Sequence, residues 1–147
     1  MSDPFRWRRR VGMREVDAWG AVWHGNYFAF CDEARSELLR AFDLAPGELL
    51  ASGLVAPVIE AHVRFLAPAR YDEEIEVRTT LRRDRGTRMH FDFVIARVAD
   101  GQTVCEVTTT QVLVRTSGGL VYLVPPEIDG RLARMLAAQD AAARPEA

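Results

Sequence analysis

VDAWGAVWHGNYFAFCDEAR, residues 16–35, changes period half-way along. Residues 17–26 hold two glycines and no clear periodicity, and read as a loop. From Tyr27 a helical period begins. Tyr27, Cys31, Ala34, Leu38 and Phe42 recur at spacings of three and four, and Phe30 and Leu39 widen the stripe. Asp32, Glu33, Arg35, Ser36 and Arg40 fill the other face. Asn26 stands ahead of the helix as the expected N-cap, because its side-chain oxygen can take an orphan N–H. Asp32 with Arg35, and Glu33 with Arg40 a further turn on, are the expected surface pairs. Asp43–Gly47, ending in Pro-Gly, stops the helix. So broad an apolar face needs something large wrapped around it.

Strand signals surround this helix. Residues 5–16 mix aromatic, basic and β-branched side chains and predict a first strand. Val55–Phe65 is apolar and β-branched, and Pro68 and Ala69 break it. Glu74–Arg82 alternates cleanly, with Ile75, Val77, Thr79 and Leu81 on one side. Arg85-Gly86 predicts a turn, Met89–Val98 a strand, and Asp100-Gly101 a hairpin. Val104–Arg115 predicts a long strand, Ser117-Gly118-Gly119 a turn, and Leu120–Val124 a short strand. Pro125-Pro126 ends the sheet, and Ile128–Ala138 predicts an amphipathic helix. Residues 1–138 therefore read as a single domain and 139–147 as a flexible tail. Hairpins favour antiparallel pairing. One long apolar helix in a curved antiparallel sheet of five to six strands is a two-layer α+β domain.

Composition narrows the chemistry. All 19 basic residues of the 147 are arginine. Schiff-base, Walker-loop and lysine-base chemistries are thereby excluded. Cys31 and Cys105 have no CxxC or CxxH partner, so no metal site is expected, and they read as buried free thiols of a reducing compartment. A net charge of -2 argues against a nucleic-acid binder, and the cluster Arg6, Arg8, Arg9, Arg10 reads as a solvated strand end. No apolar run approaches the ~20 residues of a membrane span, and no apolar segment follows the early charges. A cytoplasmic protein is expected. Ser36 lacks a G-x-S-x-G elbow, which excludes the usual serine hydrolase arrangement.

The segment Asp17, Ala18, Gly20, Ala21, Val22, Trp23, His24, Asn26, Tyr27 resembles the signature of the hotdog-fold acyl-CoA thioesterases. It is most similar to the 4-hydroxybenzoyl-CoA and Tol-Pal-associated groups. FAFCDEARSELL and FLAPARYDEEIEV continue the likeness, which runs from about Arg9 to Val124. Trp19 departs from the pattern, since relatives often carry glycine or proline there. The resemblance implies a hotdog fold, a homodimer with a continuous sheet, further assembly into a tetramer as a dimer of dimers, and no cofactor beyond the substrate's own coenzyme A. It implies Asp17 as nucleophile or general base.

The residue types suit that chemistry. Thioester hydrolysis needs an activated water or a carboxylate, and positive potential where the carbonyl oxygen gains charge. The first N–H groups of a helix have no internal partner and lie at its positive end. The backbone N–H groups of His24 and Gly25 are therefore the candidate oxyanion donors. The bland reading of Asp17 is a turn cap. Trp19, Trp23, Asn26, Tyr27 and Pro57 are the candidate substrate contacts, and Trp19 and Trp23 read equally well as core filler. Arg85 and Arg88 are candidates for the phosphates of coenzyme A, against the bland reading of a charged hairpin tip. His62 and His90 read as structural, and Glu33 as a surface ion-pair residue. An acyl-carrier-protein thioesterase and a non-catalytic acyl-CoA-binding protein are the alternatives; the helix carboxylate and histidine of a dehydratase are not in place.

Overall fold

Alternation decides the strands. In the computed structural model, which describes residues 3–142, Ile75, Val77, Thr79 and Leu81 all turn inward and are essentially inaccessible. They belong to β4 (Glu74–Arg83), the second strand of a five-stranded antiparallel sheet. The others are β1 (Phe5–Arg10), β3 (Val58–Phe65), β5 (Met89–Arg97) and β6 (Thr103–Gln111), in the order β1-β4-β5-β6-β3. The inner face continues through Phe91, Phe93 and Ile95 of β5 and Cys105 and Val107 of β6. Helix α1 (Asn26–Ala41) packs on this face, touching β1, β4 and β6. Its buried residues are the expected stripe of Tyr27, Phe30, Cys31, Ala34 and Leu38, and in addition Arg35. This is the hotdog arrangement.

Several boundaries differ from the sequence reading. β1 stops at Arg10; Met13–Glu15 is a single 3₁₀ turn that starts the following loop. The four arginines of β1 are not merely solvated. Arg6 and Arg8 reach Glu76, Arg9 reaches Glu15 and Glu33, and Arg10 donates to the Asp72 carbonyl. Pro46, read as part of a stop, is the first residue of a short helix, α2 (Pro46–Ala51). That is the place where a missing N–H costs nothing. The long strand expected over 104–115 breaks after Gln111. Val114–Arg115 (β7) leaves the main sheet and pairs with Leu54–Val55 (β2). Leu120–Val124 makes one bridge, Leu120 to Val114, and no strand.

The last helix, α3 (Pro126–Ala142), runs past the expected end at Ala138. Gln139 is the reason. β1 ends opposite Thr79, so the backbone of Leu81 has no strand on that side. The Gln139 carboxamide accepts from the Leu81 N–H at 2.7 Å and donates to the Leu81 carbonyl at 3.1 Å. A side chain thus stands in for a strand, and residues 139–142 are helix. Residues 143–147 of the expected tail lie outside the described residues.

Candidate active site

The loop before α1 is a tight, well-bonded turn. Val16 bridges Val22, the Asp17 N–H donates to the Ala21 carbonyl at 2.9 Å, and Gly20 closes the turn onto the Asp17 carbonyl at 3.0 Å. Gly20 sits at φ +79°, where a Cβ would be strained. One carboxylate oxygen of Asp17 accepts the Trp19 N–H at 2.8 Å. This is an Asx turn, so the cap reading of Asp17 is correct as far as it goes. It also fixes the carboxylate, which leaves its second oxygen without a partner among the described residues. The loop is stitched to the segment after β3. Val22 donates to the Ala69 carbonyl at 2.8 Å, and Arg70 donates to the Gly20 carbonyl at 3.4 Å.

The start of α1 differs from expectation in one respect. Gly25 is the N-cap residue, and Asn26 is the first residue of the helix. The Asn26 side chain donates to the Glu15 carbonyl at 2.9 Å, so it anchors the loop and does not cap the helix. The Asn26 N–H is spent on the Trp23 carbonyl at 2.9 Å. The N–H groups of His24 and Gly25 have no hydrogen-bond partner among the described residues. A methyl on Gly25 would lie 2.2–2.8 Å from three ring carbons of Trp23. Glycine is required here because the indole folds back over the turn.

The other candidates divide by burial. Tyr27 is core: its ring meets Phe30 and Phe65 edge-on or tilted, and its hydroxyl accepts the Ala69 N–H at 3.3 Å. Burial pushes its pKa up. His24 is exposed and lies between Trp23 and Phe65, with ring centroids 4.9 and 6.2 Å away. Trp23 is half exposed and Trp19 stands almost fully in solvent at the turn tip, which removes the core-filler reading for Trp19. Arg9 is the support the sequence left unseen. It binds Glu15 below the loop and Glu33 on α1, and stacks 4.4 Å over Phe30. Glu33 is thus held by Arg9 rather than Arg40, which pairs with Glu37.

Pro57 lies elsewhere. It helps line an apolar pocket of about 450 Å³ with Arg35, Leu39, Val58, Phe91 and Leu113. The pocket lies between α1, α2 and the start of β3. The missed helix α2 supplies one wall, and the Pro-Gly followed by two leucines was its only sequence signal. Arg35 is nine-tenths buried at this pocket, bonded to Thr109 and Asp32. Within one chain, the pocket's lining includes no residue of the 17–26 loop.

Arg85 and Arg88 are exposed on the hairpin between β4 and β5 and make no ion pair among the described residues. Their neighbours are committed: Arg82 to Asp92, Arg83 to Asp129. His90 is structural, between Thr110 at 3.0 Å and Asp84 at 3.4 Å. His62 is exposed and bonds Glu60 at 2.8 Å. Burial pushes the Cys105 thiol up to about 12 and raises Cys31 further, so neither supplies a thiolate nucleophile.

The profile of the thioesterase-like superfamily matches residues 11–132, from the end of β1 into α3. The chain belongs to that superfamily. A curated relative, the acyl-CoA thioester hydrolase YbgC of Escherichia coli O6:H1, is 38% identical over 87 residues, which is 59% of this chain and 65% of that protein. The chain therefore spans just under two thirds of the length of YbgC. A putative esterase of Aquifex aeolicus is 31% identical over 85% of this chain and 94% of its own. A hypothetical protein of Aquifex aeolicus has a crystal structure that superposes with a TM-score of 0.80, 30% identity, and coverage of 88% of this chain and 99% of that one. The 1,4-dihydroxy-2-naphthoyl-CoA thioesterase of Synechocystis superposes at a TM-score of 0.80 with 21% identity, covering 88% of this chain and 95% of that one; this shows the shared fold.

Proposed function

We propose that this protein hydrolyses an acyl-CoA thioester to the free acid and coenzyme A. The observation that carries the reading is the loop before α1. It holds a carboxylate in place through one oxygen and, seven residues on, presents two unpartnered backbone N–H groups at the start of a long helix. The thioester carbonyl oxygen takes the N–H groups of His24 and Gly25, where negative charge develops as the carbonyl is attacked. Asp17 either attacks the carbonyl carbon or takes a proton from the water that does. In both cases the carbon–sulfur bond breaks, the thiolate of coenzyme A leaves and is protonated, and one water is consumed.

The substrate's nucleotide is held by Arg85 and Arg88, whose guanidinium groups are not engaged elsewhere among the described residues. The acyl group occupies apolar surface contributed by Trp23 and the Pro57 pocket, while Tyr27, buried in the core, holds the start of α1 against Ala69. Because that pocket is walled by residues remote from the loop, the complete site needs a second copy of the chain. The exposed edge strand β3 is where that copy pairs, and no metal or redox group takes part. The name of YbgC supports the choice of a CoA thioester.

The test is thiol release from benzoyl, phenylacetyl, short-chain and long-chain CoA thioesters. Asp17→Asn should lower kcat by at least a hundredfold, with matched carrier-protein thioesters run beside them. A single turnover in ¹⁸O water tests the nucleophilic role: hydrolysis of an acyl-aspartyl anhydride at the aspartyl carbon carries label into Asp17, a result that general-base catalysis does not give. Undiminished hydrolysis by Asp17→Asn would sink the mechanism.

A further inference from the structure

α3 docks by one stripe. Its buried residues, Ile128, Leu132, Met135 and Gln139, recur at spacings of three and four and so share a face. The two ends of that stripe meet different things. Gln139 bonds the Leu81 backbone, whereas Ile128 and Leu132 line the apolar pocket that includes Pro57. Ile128, Leu132, Phe91 and Leu113 are the least accessible of its lining, while Leu50 and Val58 are half exposed. The pocket therefore has a mouth between α2 and the start of β3, and a floor made by α3 and the inner face of the sheet.

The floor is fixed in place. Arg83 reaches Asp129 at 2.8 Å, Arg131 donates to the Asp43 carbonyl at 2.7 Å, and Gln139 clasps Leu81. Leu132 lies between these ties, so a chain entering at the mouth meets a stop that does not swing away.

The lining limits what that chain can be. Of the 18 residues around the cavity, Arg35, Ser36 and Gln111 are the polar ones. The two buried ones are already engaged. Arg35 donates to Thr109 and to Asp32, an exposed carboxylate. Gln111 donates to the Ala56 carbonyl, and its own carbonyl oxygen is shut off from water. A polar group carried to the floor loses its hydration and meets apolar side chains, which costs roughly five- to a hundredfold in affinity.

Volume sets the length. The pocket measures about 450 Å³. At roughly 30 Å³ for a group the size of a water or a methylene, it takes about 15 such groups, some of them water at the open mouth. On the function proposed above, which this inference rests on, the thioester end lies at the mouth and the acyl tail runs to α3. We infer that the acyl group is a plain hydrocarbon chain of about eight to twelve carbons, and that Ile128 and Leu132 of α3 set its length limit.

A chain-length profile reads this gauge. In the parent, kcat/KM for straight-chain acyl-CoA thioesters should rise roughly fourfold per methylene, the gain expected for burying one, and stop rising at about eight to twelve carbons. A terminal hydroxyl on the best chain should cost at least about tenfold. Leu132→Ala shortens the floor by an isopropyl group and should move the limit up by about two to three carbons. Leu39→Trp fills the pocket from the half-buried side of α1 with the floor untouched, and should move the limit down; it serves where Leu132→Ala does not fold. Calorimetry with S-alkyl-CoA thioethers, which cannot be hydrolysed, repeats the series as binding.

Hydrolysis that favours acetyl or hydroxylated acyl groups overturns the gauge and leaves thioester hydrolysis standing. So does a limit that stays put in either folded variant. If no thioester is cleaved but thioether affinity climbs to a limit that the variants move, the gauge stands and the reaction falls. If no thioester is cleaved and thioether affinity is indifferent to chain length, both fall.

Discussion

Glu76 is almost fully buried on the outer face of β4, and three guanidinium groups converge on it: Arg78 at 2.8 Å, Arg8 at 2.9 Å and Arg6 at 3.0 Å. The hydrogen bond from Arg78, with those from Arg8 and Arg6, outweighs desolvation and lowers its pKa from 4.5 to about 2. At 1.36 kcal/mol per unit, the shift sets a ceiling of about 3 kcal/mol on what ionised Glu76 contributes to stability. The arginines are 35–55% exposed, so water screens part of this and about 1–2 kcal/mol is expected. The sign follows from the direction of the shift. A depressed carboxylate stabilises the fold fully above its unfolded pKa, and the contribution is lost as pH falls from about 4.5 through about 2. Glu76→Gln keeps the volume and removes the charge. Urea denaturation of parent and variant should therefore show the variant less stable by about 1–2 kcal/mol at pH 7. Titrations of all other carboxylates cancel in the difference. By pH 3 more than half of the gap should have closed. A gap unchanged between pH 7 and pH 3, or none at pH 7, refutes the electrostatic account.

Other outcomes rest on single contacts. Gln139→Ala strips the Leu81 N–H and carbonyl of their partners on a buried strand, which should cost about 2–4 kcal/mol and lower Tm by roughly 5–15 °C in calorimetry. Gly25→Ala forces the Trp23 ring away from the turn. The fold should survive, because the backbone there is ordinary helical φ and the ring is half exposed, while kcat/KM falls at least tenfold. Arg85→Ala and Arg88→Ala should raise KM for the CoA thioester with kcat nearly unchanged, and equal KM values would return both residues to a bare hairpin tip.

Periodicity carried most of the fold. α1 and β4 have strong single-period patterns, and their observed ends lie within one or two residues of those the patterns predict. What the sequence concealed depends on contacts distant along the chain. Gln139 looks like part of a polar tail until Leu81 is seen beside it. Arg35 lies on the polar side of its helix by spacing, yet is buried because Thr109 of β6 takes its guanidinium. Leu120–Val124 is apolar throughout and reads as a strand, but after Gly118 and Gly119 it makes one bridge, to Val114, and no strand. In the candidate site, the loop residues were legible because they are contiguous. Arg9 and the α2 wall of the pocket were not, since nothing near them in sequence marks what they touch.

The arginines of β1 have a consequence for the number of copies in an assembly. A sheet with two sticky edges polymerises, and one with a single sticky edge stops at two. Four of the six residues of β1 are arginine. A second β1 laid antiparallel against it brings arginine near arginine on the outer face, where the single Glu76 of β4 already serves Arg6, Arg8 and Arg78. β3 carries acid and base together in Glu60, His62 and Arg64; β1 carries arginine as its only charged residue type. A border lined with cations therefore disfavours extension of the sheet past β1, whatever meets its other edge.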